Sequence, residues 1–406
     1  MKTKNRIEDL AIFGAKPAFE EPLHVGRPNI GRRESFLERV NAILDRRWLT
    51  NNGPCVQQFE HAVAKFLGVR HCVAVCNATI ALELAIRALQ MKGEVIVPSF
   101  TFIATAHALQ WQGITPVFSD VVPSTHGIDP RRVEELITPR TTGIIGVHLW
   151  GKPCAVEALA DIAHRRGLAL MFDAAHAFGC SHQGRMIGNF GRAEVFSFHA
   201  TKFLNTLEGG AITTNDDELA VAIRLMKNFG FAGQDKVVCL GTNGKMNEIS
   251  AAMALTGFES MDAFVEHNRR NYRQYMEELE GLPGLHIFPY DESEKCNYQY
   301  VVLEVDDTAS PLSRDELMTA LRAENVLARR YFYPGCHRME PYASLFPDAG
   351  AHLPETEKLT RRVLVLPTGT SVGTREIRLV CHIVRLALTH STLVRKRICE
   401  QIRLGL

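Results

Sequence analysis

The stretch Leu168-Ala169-Leu170-Met171-Phe172, followed at once by Asp173-Ala174-Ala175-His176, decides how this chain folds. Five consecutive apolar residues match a strand covered on both faces, as in a parallel sheet packed under helices. A carboxylate at the end of such a strand is costly to bury without a partner, and a protonated heteroaromatic nitrogen would supply one. A turn or helix-capping role accounts for Asp173 equally well at this point. The same pattern repeats on either side. Apolar runs at His71–Cys76, Glu94–Pro98, Gly143–His148, Ala193–Phe198 and Gly210–Thr214 alternate with amphipathic stretches such as Ile80–Gln90 and Val156–Arg166. The alternation predicts an α/β fold with a mostly parallel sheet between helices, over residues 51–262.

Past residue 263 the pattern changes. A polar helical stretch, Phe264–Glu280, leads to an apolar run at Val301–Val305, a helix at Arg314–Glu324 and a strand near Val326–Phe332. This order predicts a smaller α+β C-terminal domain over 263–406, joined by the N-terminal segment 1–50, which ends in the amphipathic stretch Arg33–Arg47. A chain of 406 residues is long enough for both domains. Its net charge of +1 gives no argument for a nucleic-acid partner. The first residues hold no continuous apolar run and no stretch reaches the length of a membrane span. A cytoplasmic chain without a membrane partner is therefore expected. The ten cysteines show no repeated paired spacing, and Cys72 and Cys76 lie in a strand pattern. Reduced thiols and no metal centre follow as expectations.

Ligands of an open parallel sheet gather at the carboxyl ends of its strands, so the residues following each apolar run are the ones to inspect. Cys76-Asn77-Ala78-Thr79 precedes a helix, whose free N–H groups form a natural phosphate seat. A plain N-cap reads as well there. In Phe100-Thr101-Phe102 an aromatic ring could stack on a flat cofactor, or both rings could be core. In Ser197-Phe198-His199-Ala200-Thr201-Lys202 a strand runs into a turn carrying one lysine. Near an apolar pocket such an amine can be neutral and condense with an aldehyde, although lysines more often lie on the surface. His199 reads as a structural neighbour, and Glu208-Gly209-Gly210 as a tight turn into the next strand. The order of these parts matters more than any one of them. A phosphate seat, a stacking ring, a carboxylate and a lysine on one sheet edge are what a pyridoxal-phosphate site requires.

At these residues the sequence resembles the DegT/DnrJ/EryC/StrS family of sugar aminotransferases, over about Phe36 to Leu388. The resemblance rests on Asn77–Leu82, Pro98–Phe102, Asp173–Ala177, Ser197–Lys202, Glu208-Gly209-Gly210 and Gly241–Glu248. It implies a fold-type I pyridoxal-phosphate transferase with a seven-stranded type of sheet. It further implies Lys202 as the Schiff-base lysine, Asp173 against the pyridine nitrogen, and His176 at the ring's 3-hydroxyl. Phe102 takes the ring-stacking position, and Ala78, Thr79 and Ser197 the phosphate cradle. Asn243 corresponds to the asparagine that reaches the phosphate from the other subunit, which implies a homodimer with shared sites. Two departures stand out: Lys245 replaces the usual arginine, and Leu207 stands where a glycine often precedes Glu-Gly-Gly. Glutamate as donor and a nucleotide-linked keto-sugar as acceptor are implied as well. His337 and Tyr333, within Arg329–Tyr342, match the substrate-side segment. That segment is most similar to enzymes aminating dTDP-4-keto-6-deoxyglucose at carbon 4, with 3-keto-sugar enzymes as the alternative.

Other readings fit less well. Gly241–Met246 fails as a P-loop, since Cys239 replaces the leading glycine and Met246 the magnesium-holding Ser/Thr. No GxGxxG opens a helix, against a nicotinamide enzyme. Related dehydratases carry histidine at the lysine position. A non-catalytic nucleotide-sugar-binding or regulatory protein on the same fold would have no need of Lys202 and Asp173 together.

Overall fold

The computed structural model describes residues 1–404. Seven strands form its main sheet: β1 (His71–Val75), β2 (Glu94–Pro98), β3 (Thr115–Ser119), β4 (Thr141–Val147), β5 (Ala169–Asp173), β6 (Ala193–Ser197) and β7 (Gly210–Thr214). Their spatial order is β1-β7-β6-β5-β4-β2-β3. All run parallel except β7, which is antiparallel to both β1 and β6. The register places Gly210 opposite both Val75 and Ser197, and Asp173 opposite both Val147 and Val195. The carboxyl ends of β1, β4, β5 and β6 and the amino end of β7 therefore share one edge.

The strands read cleanly because both faces are covered. Leu170, Met171 and Phe172 of β5 are all buried, and each such side chain contributes about 1.5–3 kcal/mol. That burial offsets the cost of carrying Asp173 inward at the strand end. β3 escaped the sequence reading because it holds Pro116, which only an edge strand tolerates. Helix Ala78–Ala88 starts where the Asn77 side chain accepts a bond from Ile80 N at 2.9 Å. Helix Val156–Arg166 ends where Gly167 turns at φ +66.

A second, three-stranded sheet joins Leu285–Ile287, Val301–Val305 and Val363–Leu366, with Val301–Val305 in the middle. Helices Arg314–Ala323 and Thr374–Thr389 cover it through Leu317, Leu321, Ile377 and Val384. The strand expected near Val326–Phe332 is shorter. Only Val326–Leu327 pairs, in parallel with Leu23–His24. Beyond it Arg329 bridges to Val365, and Phe332 packs against Trp150 instead of continuing a ladder. The first 50 residues serve both lobes: Ile7, Leu10, Ile12 and Phe19 enter the small-lobe core, whereas Ile43 packs with Phe59 and Val63 beside the main sheet. No single helix among the described residues is long and apolar enough to cross a membrane.

Candidate active site

Three of the expected residues meet at the shared edge. Asp173 closes β5 and is buried. Its Oδ2 accepts from Thr105 Oγ1 at 2.8 Å, and its Oδ1 from the amide of Ala175 at 3.1 Å. Burial pushes the carboxyl above its ordinary range, while those two bonds and the charge of Lys202 oppose the rise. Thr105 stands at the start of helix Ala104–Gln110, a helix end that favours an anion. Each carboxylate oxygen can accept a further donor.

Lys202 follows β6 on the turn after Ser197. Burial lowers its amine from the ordinary 10.5 to about 8, with Asp173 pulling the other way. Its Nζ meets the Tyr300 hydroxyl at 3.3 Å. His176 is buried, and burial together with the Lys202 charge holds it well below its ordinary value, so its ring is neutral. The His176 ring lies 4.5 Å from that of Tyr300 and 5.9 Å from that of Trp150.

The expected anion seat sits across the edge. Asn77 is indeed the N-cap, but it uses only the amide of Ile80. The amides of Ala78 and Thr79 have no intrahelical acceptor. Gly210, paired with Ser197, lies so close that an added Cβ would come within 2.7 Å of the Asn77 carbonyl carbon and 2.8 Å of Ala78 N. Gly210 thus brings β7 against the helix start beside Ser197, with no side chain of its own in the way. Phe100 is core, whereas Phe102 is 58% exposed and keeps a free ring. An amine whose charge burial disfavours, an acid with room for a donor, a free ring and a cradle of amides and hydroxyls fit pyridoxal phosphate.

Three candidates lie elsewhere. Asn243 is exposed on the loop after helix Asp217–Met226, bridged to Asn228, and makes no hydrogen bond to the residues above within the described chain. His337 is buried with both nitrogens engaged, Nδ1 with Ser99 Oγ at 2.7 Å and Nε2 with Glu357 at 2.9 Å. It braces its segment against the end of β2 and has no free nitrogen for a substrate. Tyr333 has the guanidinium groups of Arg314 and Arg330 over its ring, at 5.3 and 4.3 Å.

Sequence reasoning passed over Thr105, Tyr300, Trp150 and Asn29. The rule that singles out residues after strands also picks Trp150, three positions beyond β4. Asn29 clasps several segments: its Nδ2 donates to Phe203 O, its carbonyl accepts from Asn205, and its Oδ1 accepts from Thr370 N and Oγ1. Gly26 lies against Thr201, where an added Cβ would fall 2.9 Å from the threonine Cβ.

Comparison with known proteins identifies the family. Residues 31–385 match the model of the DegT/DnrJ/EryC1/StrS aminotransferase family. The chain is 38% identical to a dTDP-4-amino-4,6-dideoxy-D-glucose transaminase of Shigella dysenteriae, covering 90% of this chain and 99% of that protein. An Escherichia coli protein of the same name is 36% identical, covering 87% and 95%. The crystal structure of DesI with its TDP-sugar product superposes with a TM-score of 0.91 at 48% identity, covering 96% of this chain and 99% of the other. The fold is that of a fold-type I pyridoxal-phosphate enzyme, and the chain belongs to the DegT/DnrJ/EryC1/StrS aminotransferase family.

Proposed function

We propose that this enzyme moves an amino group from L-glutamate to carbon 4 of dTDP-4-keto-6-deoxy-D-glucose, giving the 4-amino sugar. The enzyme takes a nucleotide sugar and an amino donor. The observation that carries the choice of sugar is the pair of relatives at 38% and 36% identity, both named for the 4-amino-4,6-dideoxy sugar and both matched over nearly their whole length. The 48% identical DesI, solved with a TDP-sugar product, supports the same class of acceptor.

Pyridoxal phosphate, when bound, supplies an aldehyde for amines and a ring that withdraws electrons. Lys202 is the residue to hold it covalently, because burial keeps its amine partly neutral near pH 7. Once released, the same amine takes and returns the proton at the α-carbon of the donor. Asp173 keeps the ring nitrogen protonated, His176 serves the 3-hydroxyl, and Phe102 covers a ring face. Ala78, Thr79 and Ser197 receive the phosphate. Asn243 completes the same cradle in a second copy of the chain. The exposed Phe229, Phe231, Val237, Val238 and Leu240 around its loop form the apolar surface such a homodimer would bury.

The test is a panel of 3-keto and 4-keto sugar nucleotides incubated with glutamate, with products identified by mass and NMR. A 4-amino product is expected. A 3-amino product overturns the regiochemistry, and an unchanged sugar overturns the catalytic reading. Lys202→Ala should abolish the visible absorption band of the loaded enzyme.

A further inference from the structure

Trp150 and His126 lie outside the residues expected to hold the cofactor, yet every polar atom of Trp150 is engaged. Its amide donates to His176 Nδ1 at 3.3 Å, its indole Nε1 donates to His126 Nδ1 at 3.0 Å, and its carbonyl accepts from the Tyr290 hydroxyl at 3.0 Å. The residue is fully buried and sits at φ +62, a conformation that L side chains rarely adopt and that only surrounding contacts sustain.

These bonds fix protons as well as positions. An amide N–H can only donate, so Nδ1 of His176 carries a lone pair. The ring is neutral, so its single proton sits on Nε2. Nε2 has no hydrogen-bond partner among the described residues. The indole N–H can only donate, so Nδ1 of His126 accepts, and its Nε2–H faces Glu304 at 3.1 Å on strand Val301–Val305 of the smaller lobe.

We propose that Trp150 and His126 are positioning residues that set the tautomer of His176. The Trp150 amide holds Nδ1 unprotonated, so that Nε2–H is the donor offered to the 3-hydroxyl oxygen of the bound cofactor. His126, tied to Glu304, keeps Trp150 in the left-handed conformation that presents this amide. The opposite tautomer could only accept at Nε2, which would require the 3-hydroxyl to keep its proton. This inference rests on the role given above to His176.

The experiment labels histidine imidazoles with nitrogen-15 and assigns the His176 signals by their loss in His176→Gln. In the wild-type holoenzyme and in its cofactor-free form, a pyridine-type signal is expected at Nδ1 and a pyrrole-type signal at Nε2, the latter shifting when cofactor binds. In His126→Phe, which keeps a ring but removes the acceptor, the His176 signals should become an average of both tautomers. Its turnover should fall about tenfold, the effect of one hydrogen bond of about 1.4 kcal/mol, with KM for both substrates little changed. His126→Asn, whose Oδ1 can accept from the indole, should restore both readouts. A wild-type His176 protonated on Nδ1, or on both nitrogens, overturns the inference without any variant having to fold. The expected tautomer with no shift on cofactor binding instead overturns the role of His176 toward the 3-hydroxyl.

Discussion

Replacing Lys202 with Met should make the cofactor-free protein more stable, by an amount that fades as pH rises. The amine falls from its ordinary 10.5 to about 8 because the folded state withholds water from it. At about 1.4 kcal/mol per tenfold, that drop corresponds to about 3 kcal/mol of folding free energy as a ceiling. The lysine keeps partial access to solvent, which reduces the expected gain to about 1–2 kcal/mol. Below about pH 8 the amine is charged in both folded and unfolded chains, and the folded state bears the full cost. Above about pH 10.5 it is neutral in both, and the cost is gone. Between those limits the unfolded chain binds more protons, so stability of the wild type rises with pH. Lys202→Met lacks this titration, whereas every other thiol, phenol and amine is shared. The assay is urea denaturation of both cofactor-free proteins near pH 7.5 and near pH 10. The variant should lead at the lower pH and lose that lead at the higher one. A difference that stays constant with pH, or a variant less stable throughout, refutes the idea that burial is what keeps this amine available.

Thr105→Val keeps the shape of the side chain but removes the 2.8 Å donor to Asp173. A hydrogen bond to a charged acceptor is worth about 1.5–3 kcal/mol, so cofactor affinity, titrated by absorbance, should weaken by about 10- to 100-fold. Leu240→Asp places a charge on a residue that is 70% exposed in the single chain. Sedimentation should show a shift from dimer to monomer, with loss of bound cofactor. His337→Ala removes a partner from both Ser99 and Glu357, and thermal unfolding should report a loss of about 1–3 kcal/mol. The KM for the nucleotide sugar should not change, as befits a brace; a raised KM would make His337 a substrate contact.

The sheet edge was legible because β1, β2, β5, β6 and β7 are buried on both faces and announce themselves as apolar runs. The residues that follow those runs gave Lys202, Asp173 and His176. Leu207 shows a different kind of legibility. A glycine was expected there by resemblance, and the leucine occupies φ +67, the left-handed region that glycine enters freely. What stayed hidden depends on contacts across long sequence distances. Thr105 reaches Asp173 over 68 positions, and Tyr300 reaches Lys202 over 98. No local period signals such a meeting. The same limit misplaced His337, whose spacing matches a substrate-side segment while its ring is consumed by Ser99 and Glu357. The strand drawn through Phe332 failed because an aromatic run can pack into a core, here against Trp150, as readily as it can fill a ladder.

Asn29 bonds the turn that bears Lys202 to Thr370 of the other lobe through one side chain. Losing that amide would free the turn from the smaller lobe and from Asn29 in one step. The seat of the reacting nitrogen is therefore anchored from outside the sheet that carries it, by a residue that touches neither the amine nor the acid.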